Sequence, residues 1–297
     1  MRGMPAKAAA LGACVAAVLL MVVGCTGAPA AHHHRHGLGA ATYWNRNRLL
    51  GAVPFLPVHR AVPSAGEPAS SHLAGLRAGL RVGALFDRDE TGDHFCTASV
   101  VASPGKDLLI TAAHCINGGK GSSGYNKDIE FIPDYRDGLA PAGVWTPLRL
   151  FVAPQWADSS NPDYDVGFVV LKPDDGKNIQ QVLGANRLGG DARDQYLVHV
   201  TGYPDSSGAP ITCVNWTTLV SDTQLRFDCS GYGEGTSGSP WVTRFSPLSR
   251  SGTIVGVIGG YEQGGDTAQI SYSVRFGPAI QQLYQQAVAA EAASGQG

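Results

Sequence analysis

Three short segments of this 297-residue chain carry side chains suited to nucleophilic chemistry at a carbonyl. The first is Thr111-Ala112-Ala113-His114-Cys115. His114 follows a β-prone run, sits among small residues and adjoins a cysteine expected to be oxidised. Such a setting fixes the backbone, which a general base needs because its reach is only about 3 Å. The second is Tyr164-Asp165-Val166-Gly167-Phe168-Val169-Val170-Leu171. Asp165 opens an otherwise apolar run, where a carboxylate is costly to bury without a partner. A histidine donating its ring N–H would be that partner and would itself be held in one tautomer. Asp163 competes for the role, but only Asp165 abuts the run. The third is Gly233-Glu234-Gly235-Thr236-Ser237-Gly238-Ser239-Pro240-Trp241. A nucleophilic serine needs a neighbouring base and backbone N–H groups turned towards a developing oxyanion, and glycines at 235 and 238 permit the tight turn that aims them. Taken singly, the three have ordinary structural readings: a packed histidine, a turn aspartate and a Gly/Ser surface loop.

The elements that must position these residues are short strands. From about residue 81, β-prone runs alternate with Gly, Pro, Asp and Asn: 82–86, 96–102, 108–111, 129–132, 148–152 and 166–171, then 197–201, 211–219, 225–229, 240–243, 253–258 and 270–274. About twelve such runs predict barrels or a sandwich. Pro278 then opens 279–293, rich in Ala and Gln with apolar residues near helical spacing, which predicts one closing helix. Composition agrees: 39 glycines and 15% charged residues, against roughly 25% in average domains, suit a turn-rich β protein. A net charge of −2 leaves no electrostatic footprint for nucleic acid.

The N-terminus has the pattern of an export signal. Arg2 and Lys7 precede an uncharged apolar run over 8–23, which is shorter than the roughly 20 residues a spanning helix needs. Two processing patterns compete: Val22-Val23-Gly24-Cys25 resembles a lipobox, with Cys25 lipidated, and Ala28-Pro29-Ala30 resembles an ordinary signal-peptidase site. The expected organisation is a signal over 1–25, a largely disordered linker or propeptide over 26–80, a folded domain over 81–290 and a tail over 291–297. Localisation is then extracellular, free or lipid-anchored to the outer face of the membrane. The tract His32-His33-His34-Arg35-His36 lacks carboxylate or Cys partners at ligand spacing, so no metal is expected. Beyond the signal region four cysteines remain, Cys96, Cys115, Cys213 and Cys229, an even number that predicts two disulfides in an exported chain. Of three possible connectivities, Cys96–Cys115 with Cys213–Cys229 closes short loops and is the expected one. Asn215-Trp216-Thr217 matches a glycosylation sequon, read here as chance.

In order and form the three segments resemble the chymotrypsin-like (trypsin-like) serine peptidase family, which writes T-A-A-H-C, D-[IV]-[AG]-L and G-[DN]-S-G-[GS]-P. The separations are 51 residues from His114 to Asp165 and 72 from there to Ser237. The G-x-S-G-S-P form and Val200-Thr201-Gly202-Tyr203-Pro204 look most like the bacterial glutamyl endopeptidase branch. The resemblance implies two six-stranded antiparallel β-barrels with a C-terminal helix, and a cleft between the barrels. It implies His114 as general base, Asp165 as its orienter, Ser237 as nucleophile, and the N–H groups of Gly235 and Ser237 as oxyanion hole. It matches Cys96 and Cys115 to a disulfide flanking the histidine, and 256–260 to the strand that pairs with extended substrate.

The activity implied is hydrolysis of polypeptides by a monomer through an acyl-enzyme, with no cofactor. A rival is a catalytically silent protease-fold binding module, which all three residues being present argues against. Two departures bear on preference. Trypsins have Asp six residues before the serine, where this chain has Gly231, and the glutamyl branch puts a histidine where it has Val257-Ile258-Gly259. Thr236 stands where digestive relatives have an Asp that pairs with a newly cut N-terminus. Its hydroxyl can hold the loop without such a cut, so removal of 31–80 is expected at most to uncover the cleft.

Overall fold

The computed structural model describes residues 43–55, 71–72, 81–205 and 207–294. The signal region, Cys25 and the histidine tract lie outside the described residues. Twelve strands correspond one to one with the predicted runs. The first six are β1 (Val82–Arg88), β2 (Asp93–Val101), β3 (Leu108–Thr111), β4 (Lys127–Pro133), β5 (Pro147–Val152) and β6 (Gly167–Leu171). They form one antiparallel sheet in the order β4-β1-β2-β3-β6-β5. Reciprocal backbone hydrogen bonds between Phe131 and Trp145, 2.8 and 2.9 Å, join β4 to the chain entering β5 and close the barrel. The second six are β7 (Leu197–Gly202), β8 (Ile211–Leu219), β9 (Gln224–Asp228), β10 (Pro240–Ser246), β11 (Ser251–Val257) and β12 (Ile270–Val274). Their order is β12-β9-β8-β7-β10-β11, closed where Gly259 N–H donates to Tyr272 O at 3.0 Å just past β11.

β3 and β6 are continuous apolar runs because both faces are buried. Leu109, Val169 and Leu171 point into the first barrel with Leu85, Val100 and Phe131. Their neighbours Leu108, Ile110, Phe168 and Val170 face the other way, against Val242, Ile254 and Val257 of the second barrel and Ile280, Leu283 and Ala287 of the closing helix. The two barrels and the helix thus share one core, and its strands end beside His114 and Asp165. Of the four α-helices among the described residues, α1 (Arg46–Gly51), α2 (Pro154–Ser159) and α3 (Ile179–Leu183) are too short to show periodicity, and α4 (Pro278–Ser294) is the predicted one. α4 runs through the expected tail boundary at 290. The buried Glu291 carboxylate accepts hydrogen bonds from Ser103 Oγ (2.6 Å) and the N–H groups of Asp107 (3.2 Å) and Gly105 (3.3 Å).

Residues 43–55 differ from the unstructured linker expected there. Asn45 caps α1, accepting from Asn47 N and Arg48 N at 3.1 Å each. Trp44, Leu49 and Ala52 pack on Val82, Ala84 and Phe86 of β1 and on Ile132. The cause lies in β1 itself: its apolar outer face needs a cover, and the upstream segment supplies one. Beyond α1, Val53–Pro54 runs parallel to β2 at His94 and Phe95. Further along, Ser71–His72 lies antiparallel on Thr212 and Ile211 of β8. Removing 31–80 would therefore uncover the apolar face of β1 as well as anything the segment shields near the cleft.

Candidate active site

Asp165 follows a single 3₁₀ turn, Pro162–Tyr164, and precedes β6; His114 follows β3. β3 and β6 are neighbours in register from Leu108–Val170 to Thr111–Gly167, so the two residues emerge side by side at the same end. Asp165 is fully buried. Its Oδ2 accepts from His114 Nδ1 at 2.8 Å and from Gly260 N–H at 2.9 Å, and its Oδ1 accepts from His114 N–H at 2.9 Å. Three donors offset the desolvation of the carboxylate. With Nδ1–H committed to Asp165, the lone pair is left on Nε2, the state a base requires. The competitor Asp163 is used elsewhere, accepting from Gln224 Nε2 at 2.8 Å.

His114 itself is almost entirely enclosed. The rings of Phe55 and Trp156 lie 5.5 and 6.3 Å from its ring, one supplied by the upstream segment and the other by α2. The Cys96–Cys115 disulfide ties the residue after His114 to β2. Cys96, His114 and Cys115 place their ligand atoms within 4.8 Å of one another, but the sulfurs are bonded together and offer no thiolate to a metal. Cys213 and Cys229 form the second disulfide, as expected.

The Ser237 loop reaches this corner from the second barrel. Thr97 N–H of β2 donates to Ser237 O at 2.7 Å, and Gly238 N–H donates to Ile258 O at 2.7 Å. Gly238 has φ +82°, and a Cβ there would sit 2.1 Å from Thr97 O and 2.2 Å from Thr111 Oγ1, with Ala112 N at 3.2 Å. Only glycine lets the loop close to this distance, which sets Ser237 beside the strand end bearing His114. Thr236 Oγ1 donates to Gly233 O at 2.6 Å, and Ser239 Oγ donates to Thr236 O at 2.6 Å. The loop is thus held by its own hydroxyls, with no charged group taking part. Among the described residues, the N–H groups of Gly235 and Ser237 have no acceptor, while those of Thr236, Gly238 and Ser239 are paired. Ser237 Oγ makes no hydrogen bond within 3.5 Å among the described residues.

A cavity of about 370 Å³ opens beside Ser237. Tyr232, Ile258, Gly264, Glu234, Asp205 and Asp266 are among its lining residues, and Gly231 lies in it too. Burial drives the Tyr232 phenol well above its ordinary range, so it stays protonated and donates to Val200 O at 2.6 Å. The cavity was not legible beforehand, because its walls come from three separated loops. The segment 256–260 offers less to substrate than expected. The N–H groups of Val257, Ile258, Gly259 and Gly260 are spent on Ser273 Oγ, Ser239 O, Tyr272 O and Asp165 Oδ2. Among the described residues the Gly259 carbonyl accepts from no donor and is left for a bound main chain.

No protein-family model and no curated protein sequence matches the chain. Solved structures do. The protease Anisep from Arthrobacter nicotinovorans is 26% identical, with a TM-score of 0.66 over 74% of this chain and 99% of its own. The thermostable serine protease AL20 from an extremophilic microorganism is 24% identical, with a TM-score of 0.64 over 71% of this chain and 98% of its own. A Glu endopeptidase is 17% identical, with a TM-score of 0.60 over 75% of this chain and 98% of its own. The last two speak to the fold alone. With the two barrels and the Anisep likeness, they give the chain the trypsin-like fold of chymotrypsin-like serine peptidases.

Proposed function

We propose that the chain hydrolyses peptide bonds in polypeptides through His114, Asp165 and Ser237. Ser237 Oγ attacks the scissile carbonyl carbon while its proton passes to His114 Nε2. The imidazolium so formed is stabilised through Nδ1–H by Asp165. The carbonyl oxygen, now an oxyanion, takes hydrogen bonds from the free N–H groups of Gly235 and Ser237. On collapse the C–N bond breaks and His114 returns the proton to the leaving amine. Water then attacks the acyl-enzyme with His114 again as base, and the carboxylic acid leaves Ser237.

The observation that carries this reading is the double hold of Asp165 on His114, through both the ring and the backbone N–H, in a wholly buried corner. The two paired cysteine bridges and the sequence pattern of residues 1–25 support an exported enzyme, with Cys25 as a candidate lipid anchor. Replacing Ser237 by Ala tests the mechanism. Turnover of a peptide substrate should fall by several orders of magnitude with thermal stability unchanged, as for loss of one member of a triad. A Ser237→Ala protein that turns over at a near-normal rate would refute it.

A further inference from the structure

We propose that the cavity beside Ser237 is a specificity pocket for a cationic side chain, so that cleavage follows lysine or arginine. This rests on Ser237 being the nucleophile. Three carboxylates line the cavity, Asp205, Glu234 and Asp266, and no Lys or Arg does. Among the described residues none of the three has an ion-pair partner. Gln263 adds a buried Oε1 that accepts from no donor among the described residues. A lysine or arginine head would bring N–H donors and positive charge to a lining that has unmatched acceptors of both kinds.

Space and depth fit as well. Gly231, Gly233, Gly264, Gly265 and Ala268 form much of the wall, leaving room for a long side chain. Ile258 lies in the lining too and suits the apolar stem of such a side chain. Asp266 is half-buried, whereas Asp205 and Glu234 are exposed. Asp266 is therefore the principal determinant, and the other two guide the charge inward. Asp205 and Glu234 sit next to each other because Asp205 N–H donates to Glu234 O at 2.9 Å. The charge that trypsins take from the position of Gly231 is supplied here from other loops. A glutamate side chain would meet three like charges, which disfavours the preference named for the Glu endopeptidase neighbour.

The test uses the full chain after export and peptides identical except for Arg, Lys, Leu, Phe or Glu before the scissile bond. Arg and Lys should exceed Leu and Phe in kcat/KM by about tenfold or more, with Glu about a hundredfold below Arg. Asp266→Asn should lower the Arg-to-Leu ratio by about tenfold; Glu234→Gln and Asp205→Asn should lower it less, and their effect should fade in high salt. Ser237→Ala should still bind the aromatic amidinium benzamidine, and Asp266→Asn in that background should weaken the binding by calorimetry. Cleavage best after Leu, Phe or Glu, or an Arg-to-Leu ratio unmoved in Asp266→Asn, would overturn the pocket assignment while leaving the peptidase reading intact. No cleavage of any peptide would instead overturn the peptidase reading, and benzamidine binding to the Ser237→Ala protein would then decide the pocket alone: retained and weakened by Asp266→Asn, it stands; absent, it falls.

Discussion

The two sides of the cleft are built by different means. On the His114 side, position is set by side chains: a buried carboxylate, a disulfide, and the rings of Phe55 and Trp156. On the Ser237 side, it is set by backbone. Gly235 and Gly238 take φ +86° and +82°, carbonyls accept from neighbouring N–H and hydroxyl groups, and no charge takes part in holding the loop. A base must keep one tautomer, which needs a specific acceptor. A nucleophile with an oxyanion site must keep two N–H groups unspent, which needs a specific turn. The two halves should therefore fail differently when altered.

The largest expected effect falls on the side-chain half. Asp165→Asn keeps the volume and can still hydrogen-bond, but its amide no longer selects Nδ1–H. For such a change in a Ser-His-Asp triad the loss in kcat is about 10⁴-fold. Steady-state kinetics across pH would check it, with the folded state monitored by thermal melting. A loss below about tenfold would show that the Asp165 clasp does not set the tautomer.

Next is the cover on β1. Trp44 is fully buried against Phe86, so Trp44→Ala should cost about 3–5 kcal/mol of stability. Denaturant unfolding measures it. Unchanged stability would mean that 43–55 contributes nothing to the barrel core. Because the segment ends with Phe55 on His114, the same experiment tells whether the side-chain half depends on residues upstream of the barrels.

Gly238→Ala probes the backbone half. The added methyl meets Thr97 O and Thr111 Oγ1 at about 2 Å and the residue is held at positive φ, so a loss of about 3 kcal/mol is expected, together with most of the activity. Gly233→Ala makes a control, since a Cβ there meets only the Ala268 Cβ, at 3.7 Å. If the two variants behaved alike, close approach of the loop to β2 would not be what places Ser237.

The same contrast explains what could be read in the sequence. His114, Asp165 and the cysteine pairs were legible because side-chain chemistry announces itself by residue type and neighbours. The twelve strands were legible because period-two and fully apolar runs end at Gly, Pro and Asp. The acidic cavity was not, because Asp205, Glu234 and Asp266 lie on three loops that only the closed second barrel brings together. Nor was the role of 43–55, although signals existed. Trp44 before Asn45 and the pair Leu49-Leu50 form an anchored, capped turn, and Val82 to Phe86 is apolar on both faces, so one face had to be covered from elsewhere. Linker-like composition over 56–80 masked it.

The smallest expected effect concerns Thr236 and decides whether the backbone half assembles by itself. Thr236 is buried, and its hydroxyl closes the turn onto Gly233 O while its carbonyl accepts from Ser239 N–H at 3.0 Å and from Ser239 Oγ. No charge stands at this position to be met by a newly formed N-terminal amine. The loop is closed by these bonds while 43–55 covers β1, so the expectation is that no cut near Arg81 is needed to form it. A cut there that released 43–55 would instead bare Val82, Ala84 and Phe86. Removing the hydroxyl in Thr236→Ala deletes one neutral hydrogen bond, about 1 kcal/mol, or about fivefold in kcat/KM if the whole of it is felt at the oxyanion site. Thr236→Ser should restore most of the rate, since it keeps the donor. The companion measurement compares chains starting at residues 43 and 82, each with a free and with an acetylated N-terminus. Hydrolysis should be indifferent to acetylation, and the chain starting at 82 should be the less stable of the two. Activity that appears only with a free amine at one terminus would show that the loop is completed by that amine and not by Thr236.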